Sequence, residues 1–176
     1  MCGILLIVSK NKLNKHECLK AERLIKSRGP DFVNNSFFSR DRIFLSNSIL
    51  SITGSINYKK GLAKSKSSNY VLSFNGEIYN WKDLSKKYKL SNNKNDTQLL
   101  VNMFDSIKPE KIPKNINGMF AYCTYDKIND IINIATDPQG EKKLFFFKNE
   151  DLFIISSNLN CILSFIKKDF LNTDLI

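Results

Sequence analysis

An uninterrupted apolar run, ILLIV at residues 4–8, lies almost at the start of the chain and directly follows Cys2 and Gly3. A short run of β-type residues without polar alternation predicts a strand that the rest of the fold buries. The run has no basic segment before it and no small-residue cleavage site after it, so we do not interpret it as a signal peptide. We therefore expect a cytoplasmic protein whose first residues lie beside its core.

The other segments predict two blocks of strands, with helices gathered in separate groups. Strand-like patterns occupy residues 37–39, 43–52, 70–74, 119–125, 131–135, 143–147 and 152–156. Helical patterns cover residues 14–27 and 158–166, and two further helices begin at Trp81 and at Asn95 or Asp96. We expect a loop over residues 54–69 and a tight turn at Asn75-Gly76. This order favours an α+β fold, two sheets with helices outside them, over alternating βαβ units.

The distribution of charge and the short apolar stretches argue against two kinds of partner, nucleic acids and membranes. The net charge is +10, but only 4 of the 27 basic residues are arginine, and they are spread along the chain. Proteins that bind nucleic acid tend to cluster their charges and to use arginine for bidentate contacts, so we do not expect a nucleic-acid partner. No stretch approaches the ~20 apolar residues of a membrane span, so we expect no membrane partner.

The cysteines give no support to a metal site or a disulfide framework. Cys2, Cys18, Cys123 and Cys161 are widely spaced, and His16 is the sole histidine. The last three cysteines have apolar neighbours, so we expect them to be buried thiols.

Cys2 is different because of its position. Aminopeptidases generally remove Met1 before a small side chain, and Cys2 would then carry the α-amino group, with a reference pKa of about 7.7–8.0. Such an amine can act as the general base for its own side chain, as it does for N-terminal threonine nucleophiles. The alternative base, His16, lies in a predicted helix among charged residues. On position alone, Cys2 could equally be an ordinary residue of a strand.

Amide hydrolysis also requires donors for the developing oxyanion, and Asn75-Gly76 offers an amide side chain and a backbone N–H directly after a strand. Glycine also permits close approach of the backbone. A free amino acid substrate needs carboxylates for its ammonium group, and Glu77 and Asp96 are candidates. Taken alone, Asn75-Gly76 is more typical of a hairpin turn, and Asp96 of a helix cap.

Seven short motifs occur together in one order: MCGI at 1–4, RGPD at 28–31, FNGEIYN at 74–80, NDTQLL at 95–100, NGMFAYCTYD at 117–126, DPQGEKKLFFF at 137–147 and ISSNL at 155–159. In this order they resemble the glutaminase domain of asparagine synthetases, a class II glutamine amidotransferase. SNSILSITG at 46–54 is most similar to the divergent asparagine-synthetase-like branch.

The resemblance implies a four-layer αββα sandwich of the N-terminal-nucleophile hydrolase type. It implies Cys2 as the nucleophile, with Asn75 and Gly76 forming the oxyanion hole. It also assigns glutamine binding to two carboxylates and to one strand segment, and places residues 28–31 close to the active site. The substrate-binding candidates are Glu77, Asp96, Ile49, Leu50, Ile52 and Thr53.

Two departures from the family pattern affect these expectations. Ile49 occupies the place of an arginine that binds the α-carboxylate of glutamine, and losing that bidentate pair could weaken binding by roughly 2–4 kcal/mol. Arg42 or a nearby lysine is a candidate replacement. The second departure is DPQGEKK, which keeps Asp137, Gly140 and Lys142, so we expect the strand-turn-strand there to survive.

We expect residues 1–176 to form a single glutamine amidotransferase domain without the ATP-dependent synthetase domain. ATP and magnesium would belong to that missing domain, so we expect no cofactor here. The expected partners are L-glutamine and a separate synthetase domain or chain that uses the ammonia. Two alternatives stay open: a degraded domain of the same fold kept for interaction or regulation, and a hydrolase acting on another amide.

Overall fold

The computed structural model describes residues 2–51, 62–90 and 93–166 of the chain. Nine strands are described: β1 Gly3–Ser9, β2 Phe32–Phe38, β3 Ile43–Ile49, β4 Ala63–Lys64, β5 Tyr70–Ile78, β6 Gly118–Asp126, β7 Ile131–Thr136, β8 Phe145–Lys148 and β9 Leu152–Ser156. The α-helices within the same ranges are α1 Lys15–Ile25, α2 Trp81–Lys87, α3 Asp96–Met103, α4 Ile112–Asn115 and α5 Leu159–Leu163. Short 3₁₀ turns cover Lys26–Arg28 and Pro109–Lys111.

The strands form two antiparallel sheets. The first has the order β2-β3-β1-β9-β8 and the second the order β4-β5-β6-β7. The apolar run at residues 4–8 becomes β1, the central strand of the first sheet, and it pairs with β3 on one side and β9 on the other. Because β1 is central and covered on both faces, it has no exposed face that would require polar residues.

Three separate apolar clusters show that the fold has four layers. Ile4 and Leu6 of β1 pack between the two sheets, whereas Leu5 and Ile7 face α1 and α5. A third cluster joins the outer face of the second sheet to α2, α3 and α4. Alternate residues of one strand therefore belong to different interfaces, as the two-residue period of a strand requires. The α+β expectation, and the αββα sandwich in particular, is confirmed.

The predicted turn at Asn75-Gly76 is wrong, because β5 continues through both residues and pairs with β6 as far as Ile78 and Gly118. The glycine serves close strand packing instead. A Cβ atom on Gly76 would lie 2.2 Å from the carbonyl oxygen of Met119 and 2.7 Å from the Cα atom of Phe120. Asn-Gly is a strong local turn signal, but here nine residues of cross-strand pairing override it.

Other boundaries also differ from the sequence expectation. β2 begins at Phe32 rather than at residue 37. All its residues are half-buried, and its VNNS segment shows no alternation of apolar and polar residues from which a strand could be predicted. Within the predicted loop at 54–69, Ala63–Lys64 form a short strand. The strand-turn-strand at Asp137 crosses between sheets, since β7 lies at the edge of one sheet and β8 at the edge of the other.

Candidate active site

Cys2 lies immediately before β1, at the end of the cleft between the sheets. The alternation along β1 places Cys2 on the same face as Ile4, which packs between the sheets. The side chain is half-buried, and its Sγ lies 3.9 Å from the carbonyl oxygen of Leu50. The next residue must be glycine: a Cβ on Gly3 would lie 2.5 Å from both the Ile25 Cγ1 and the Ser48 Oγ. Close packing of α1 on β1 therefore fixes the backbone next to the thiol.

Asn75 lies on the face of β5 that points into the same cleft. Val71 of this strand packs between the sheets, and Asn75 follows it by four residues. The side chain is only 2% exposed, and its Nδ2 finds no hydrogen-bond acceptor within the described ranges. A buried donor without an acceptor is costly in a folded protein, so this amide is a strong candidate for binding a group that the chain does not itself supply.

The pairing register turns the Gly76 N–H away from β6. Phe120, opposite Gly76, uses both its backbone groups on its other side: its N–H donates to the Asp137 Oδ2 at 3.2 Å, and its carbonyl accepts the Asp137 N–H at 2.7 Å. In an antiparallel pair the two residues then turn their backbone groups away from each other. The Gly76 N–H therefore points to the outer edge of β5.

Asp96 confirms this orientation independently and lies at the same edge. The Ile78 N–H, two residues after Gly76 and directed to the same side, donates to the Asp96 Oδ2 at 3.1 Å. The other carboxylate oxygen accepts the Thr97 N–H at 2.7 Å. The helix cap expected at Asn95 or Asp96 is Asn95, whose side chain accepts the Gln98 N–H at 2.8 Å. Asp96 is thus the first residue of α3, and its carboxylate faces the strand.

Glu77 is exposed and precedes Ile78 on β5, so both carboxylates that the sequence singled out lie at the end of this strand. Ile49 is the last residue of β3 and lies beside Cys2, because the preceding residue, Ser48, pairs with Gly3. The carbonyl oxygen of the next residue, Leu50, contacts the Cys2 thiol. Ile52 and Thr53 lie outside the described residues.

The RGPD motif holds the end of β3 against the nucleophile. The Arg28 Nε donates to the carbonyl oxygen of Cys2 at 3.4 Å. The Asp31 carboxylate accepts the Ser51 N–H at 2.7 Å. The backbone N–H of Asp31 donates to the Ile49 carbonyl at 3.2 Å. The motif therefore lies close to the candidate site.

Arg42 does not replace the family's arginine. It lies just before β3, where its carbonyl accepts the Ser9 N–H, and its guanidinium contacts Ser39. Ile49 is at the other end of this seven-residue strand, about 20 Å away at 3.3 Å per residue. The expectation that Arg42 could bind the substrate carboxylate is wrong.

Asn47, which the sequence did not single out, connects the two sheets of the site, and Asp137 holds the segment after β7 against β6. The Asn47 Nδ2 donates to the Gly3 carbonyl at 2.9 Å and to the Phe74 carbonyl at 3.2 Å. Asp137 is buried, and besides the Phe120 N–H it accepts the N–H groups of Glu141 and Lys142. Burial alone raises the pKa of Asp137, but these backbone donors outweigh it, so the pKa lies below its usual value. Only the DxxGxK pattern hinted at Asp137.

The remaining cysteines are buried, as expected. Burial, with a smaller contribution from the neighbouring Glu17 carboxylate, raises the pKa of the Cys18 thiol to about 12. Burial likewise raises the pKa of Cys123 and of Cys161. Thiolates are the reactive form, so these three thiols are poor nucleophiles near neutral pH.

The described part of the chain contains no group of three or more His, Cys, Asp or Glu side chains that could hold a metal ion. In the same part, no helix combines the length and apolarity that crossing a bilayer requires.

Comparison with known proteins agrees with this architecture. A family profile described as a glutamine amidotransferase domain matches residues 1–173. Among curated proteins, a putative glutamine-hydrolysing asparagine synthetase of Methanocaldococcus jannaschii is 29% identical and covers 100% of this chain. The glutamine-hydrolysing asparagine synthetase 3 of Bacillus subtilis is 24% identical over 93% of the chain, and the mouse asparagine synthetase 28% identical over 88%.

Two solved structures share the fold at low sequence identity. One is a glutamine phosphoribosylpyrophosphate amidotransferase from B. subtilis, with a TM-score of 0.66 and 15% identity. The other is described as the allosteric regulatory enzyme of purine biosynthesis, with a TM-score of 0.69 and 14% identity. Each alignment covers 93% of this chain and 43% of the solved one.

The chain spans 38% of the length of the archaeal relative and 28% of the Bacillus and mouse relatives. With the profile covering nearly every residue, the chain belongs to the glutamine amidotransferase domain family, and the curated relatives that it resembles are asparagine synthetases.

Proposed function

We propose that this domain hydrolyses the side-chain amide of glutamine through a Cys2 thioester and supplies the ammonia to a synthetase domain or chain. One observation carries the proposal: the half-buried Cys2 thiol and the buried Asn75 amide, which has no acceptor within the described ranges, face the same end of the inter-sheet cleft. They come from different sheets, so only the tertiary fold brings them together. A nucleophile and an oxyanion donor are the two groups that acyl transfer requires.

In the first half-reaction, the Cys2 sulfur attacks the amide carbon of glutamine. The α-amino group exposed by removal of Met1 takes the thiol proton and passes it to the departing nitrogen. Negative charge develops on the former carbonyl oxygen, where the Asn75 Nδ2 and the Gly76 N–H donate hydrogen bonds. The C–N bond breaks, ammonia leaves, and a thioester joins Cys2 to the glutamyl group.

In the second half-reaction, water attacks the thioester carbon and the same amine takes a proton from it. The oxyanion returns to the same two donors, the C–S bond breaks and the thiol is restored as glutamate leaves. The chemistry balances with water alone, so the proposed reaction consumes no nucleotide or other co-reactant. ATP and magnesium would serve the synthetase part of the assembly.

Substrate binding is assigned to the open end of β5. The carboxylates of Glu77 and Asp96 can receive the α-ammonium group of glutamine, since Asp96 already lies at the edge where the Gly76 N–H emerges. Ile49, beside Cys2, presents an apolar surface where an arginine would bind the α-carboxylate. We therefore expect glutamine to bind mainly through its ammonium and amide ends, with a correspondingly high KM.

Ile49 also supports a second candidate, a domain that has lost glutamine binding and serves interaction or regulation. The two candidates differ in a direct assay of glutamate and ammonia release by the purified chain. The proposed function predicts turnover that disappears in Cys2→Ala and falls strongly in Cys2→Ser, both with unchanged circular dichroism. No turnover by the wild-type chain at high glutamine would favour the second candidate, and equal turnover by Cys2→Ala would contradict the nucleophile assignment.

A further inference from the structure

Asn47 of β3 joins the two sheets at the level of the candidate site. Its side chain is 8% exposed and points into the inter-sheet cleft. The amide nitrogen donates to the Gly3 carbonyl of β1 at 2.9 Å and to the Phe74 carbonyl of β5 at 3.2 Å. One nitrogen thus holds carbonyl groups from both sheets no more than about 6 Å apart.

The chemistry of this contact requires an amide. Both partners are backbone carbonyl oxygens, which only accept, so the side chain must supply two donors from one atom. The two carbonyls differ in their strand contacts. The Gly3 carbonyl faces β3, where the register pairs Gly3 with Ser48. The Phe74 carbonyl points away from β6 to the outer edge of β5, on the same side as the Gly76 N–H and the Ile78 N–H that donates to Asp96. A carboxylate at position 47 would have the same shape but would repel both carbonyls.

The two carbonyl groups belong to residues that are next to the reacting residues in the sequence. Gly3 follows Cys2, and Phe74 precedes Asn75. We propose that Asn47 is a positioning residue that fixes the separation of the nucleophile on one sheet from the oxyanion donors on the other. This inference rests on the proposed glutaminase reaction and assigns Asn47 no contact with substrate. A misplacement of about 1 Å between reacting groups can lower a rate by about 100-fold, so one bridging amide can control turnover.

A nearby contact provides a matched control. The Ser73 Oγ donates to the Ser46 carbonyl at 2.9 Å, which is another buried hydrogen bond between β5 and β3. It joins the same two strands but does not involve a carbonyl next to Cys2 or Asn75. Ser73→Ala therefore reports what the loss of an inter-sheet hydrogen bond costs in stability alone, about 1 kcal/mol in typical cases.

The test compares Asn47→Asp and Ser73→Ala with the wild-type chain in steady-state glutamine hydrolysis, with thermal unfolding measured on each. We expect Asn47→Asp to lower kcat at least about tenfold with KM changed by less than about threefold, because positioning acts on the transition state. Alkylation of Cys2 by iodoacetamide, which needs no oxyanion donor, should keep its rate within about twofold in both variants. Ser73→Ala should keep kcat.

Equal kcat in Asn47→Asp and Ser73→Ala, with both merely less stable, would overturn the positioning role and leave the proposed function standing. An inactive wild-type chain would overturn the proposed function and this inference with it. If Asn47→Asp does not fold, Asn47→Ser takes its place under the same criteria, because a hydroxyl keeps one donor and adds no charge.

Discussion

The carboxylate of Asp96 accepts the backbone N–H of Ile78 at 3.1 Å, and this bond holds the first turn of α3 against the outer edge of β5. The same edge carries the Gly76 N–H, because residues two apart on a strand direct their backbone groups to the same side. A negative charge and the backbone N–H that we propose as an oxyanion donor therefore lie at the same edge of the strand. This arrangement suits the proposed substrate, whose ammonium group is a few bonds away from its amide.

Asp96→Asn tests the charge while keeping an oxygen acceptor for Ile78. Because a charge-assisted hydrogen bond contributes about 1.5–3 kcal/mol, we expect KM for glutamine to rise about 10–100-fold with kcat little changed. The measurement is steady-state release of glutamate. Asp83→Asn, at an exposed acidic residue in the first turn of α2, is the matched control. An unchanged KM in Asp96→Asn would contradict the ammonium-binding role.

Asn75→Ala removes the buried amide that has no acceptor within the described ranges. Loss of one oxyanion donor lowers kcat by about 10²–10³-fold in comparable enzymes, and we expect that range with a small change in KM. The control is Thr124→Val, since the Thr124 Oγ1 is also buried without a partner in the same ranges but lies on β6 with its side chain toward the helices. Similar activity losses in both variants would argue against an oxyanion hole at Asn75.

Ile49→Arg restores the charge that typical family members carry. If the wild-type site leaves the α-carboxylate unpaired, 4-aminobutanamide, which is glutamine without that carboxylate, should be hydrolysed with a kcat/KM close to that of glutamine. The arginine should then raise the preference for glutamine about 10–100-fold, following the strength of a charge-assisted pair. Ile49→Met, uncharged and of similar volume, is the control. A strong wild-type preference for glutamine would show that another cation binds the carboxylate.

Asp137→Asn tests the buried carboxylate that accepts three backbone N–H groups. Its pKa is depressed in the folded state, so its stabilising contribution is complete above the unfolded value of about 3.9 and is lost as the pH falls through the folded value. We expect Asn to lower the free energy of unfolding at pH 7 by about 1–3 kcal/mol and to flatten its decline between pH 5 and 3.

Urea unfolding followed by Trp81 fluorescence measures both effects. Asp151→Asn, at an exposed carboxylate 3.8 Å from the Lys10 Nζ, should change the free energy of unfolding by less than about 0.5 kcal/mol. Parallel pH profiles for wild type and Asp137→Asn would show that the depressed pKa does not stabilise the fold.

Local sequence patterns predicted the layers of this fold better than the details of its site. The apolar run at residues 4–8 identified the central strand because burial on both faces leaves a direct compositional record. Asn75-Gly76 was misassigned as a turn, since local propensity cannot reveal that a distant strand pairs through it. The sequence does not identify Asn47, because its partners lie 44 and 27 residues away and an asparagine between two serines of a strand has no distinctive spacing.

Intact-protein mass spectrometry before and after exposure to 6-diazo-5-oxo-L-norleucine, a reactive glutamine analogue, tests the role of Cys2 most directly. One spectrum reports both the removal of Met1 and covalent labelling. We predict a mature mass with a single adduct on Cys2, and no labelling of Cys18, Cys123 or Cys161, whose pKa values burial raises. A mature chain that stays unlabelled, although its Cys2 thiol reacts with iodoacetamide, would contradict the proposed glutamine site.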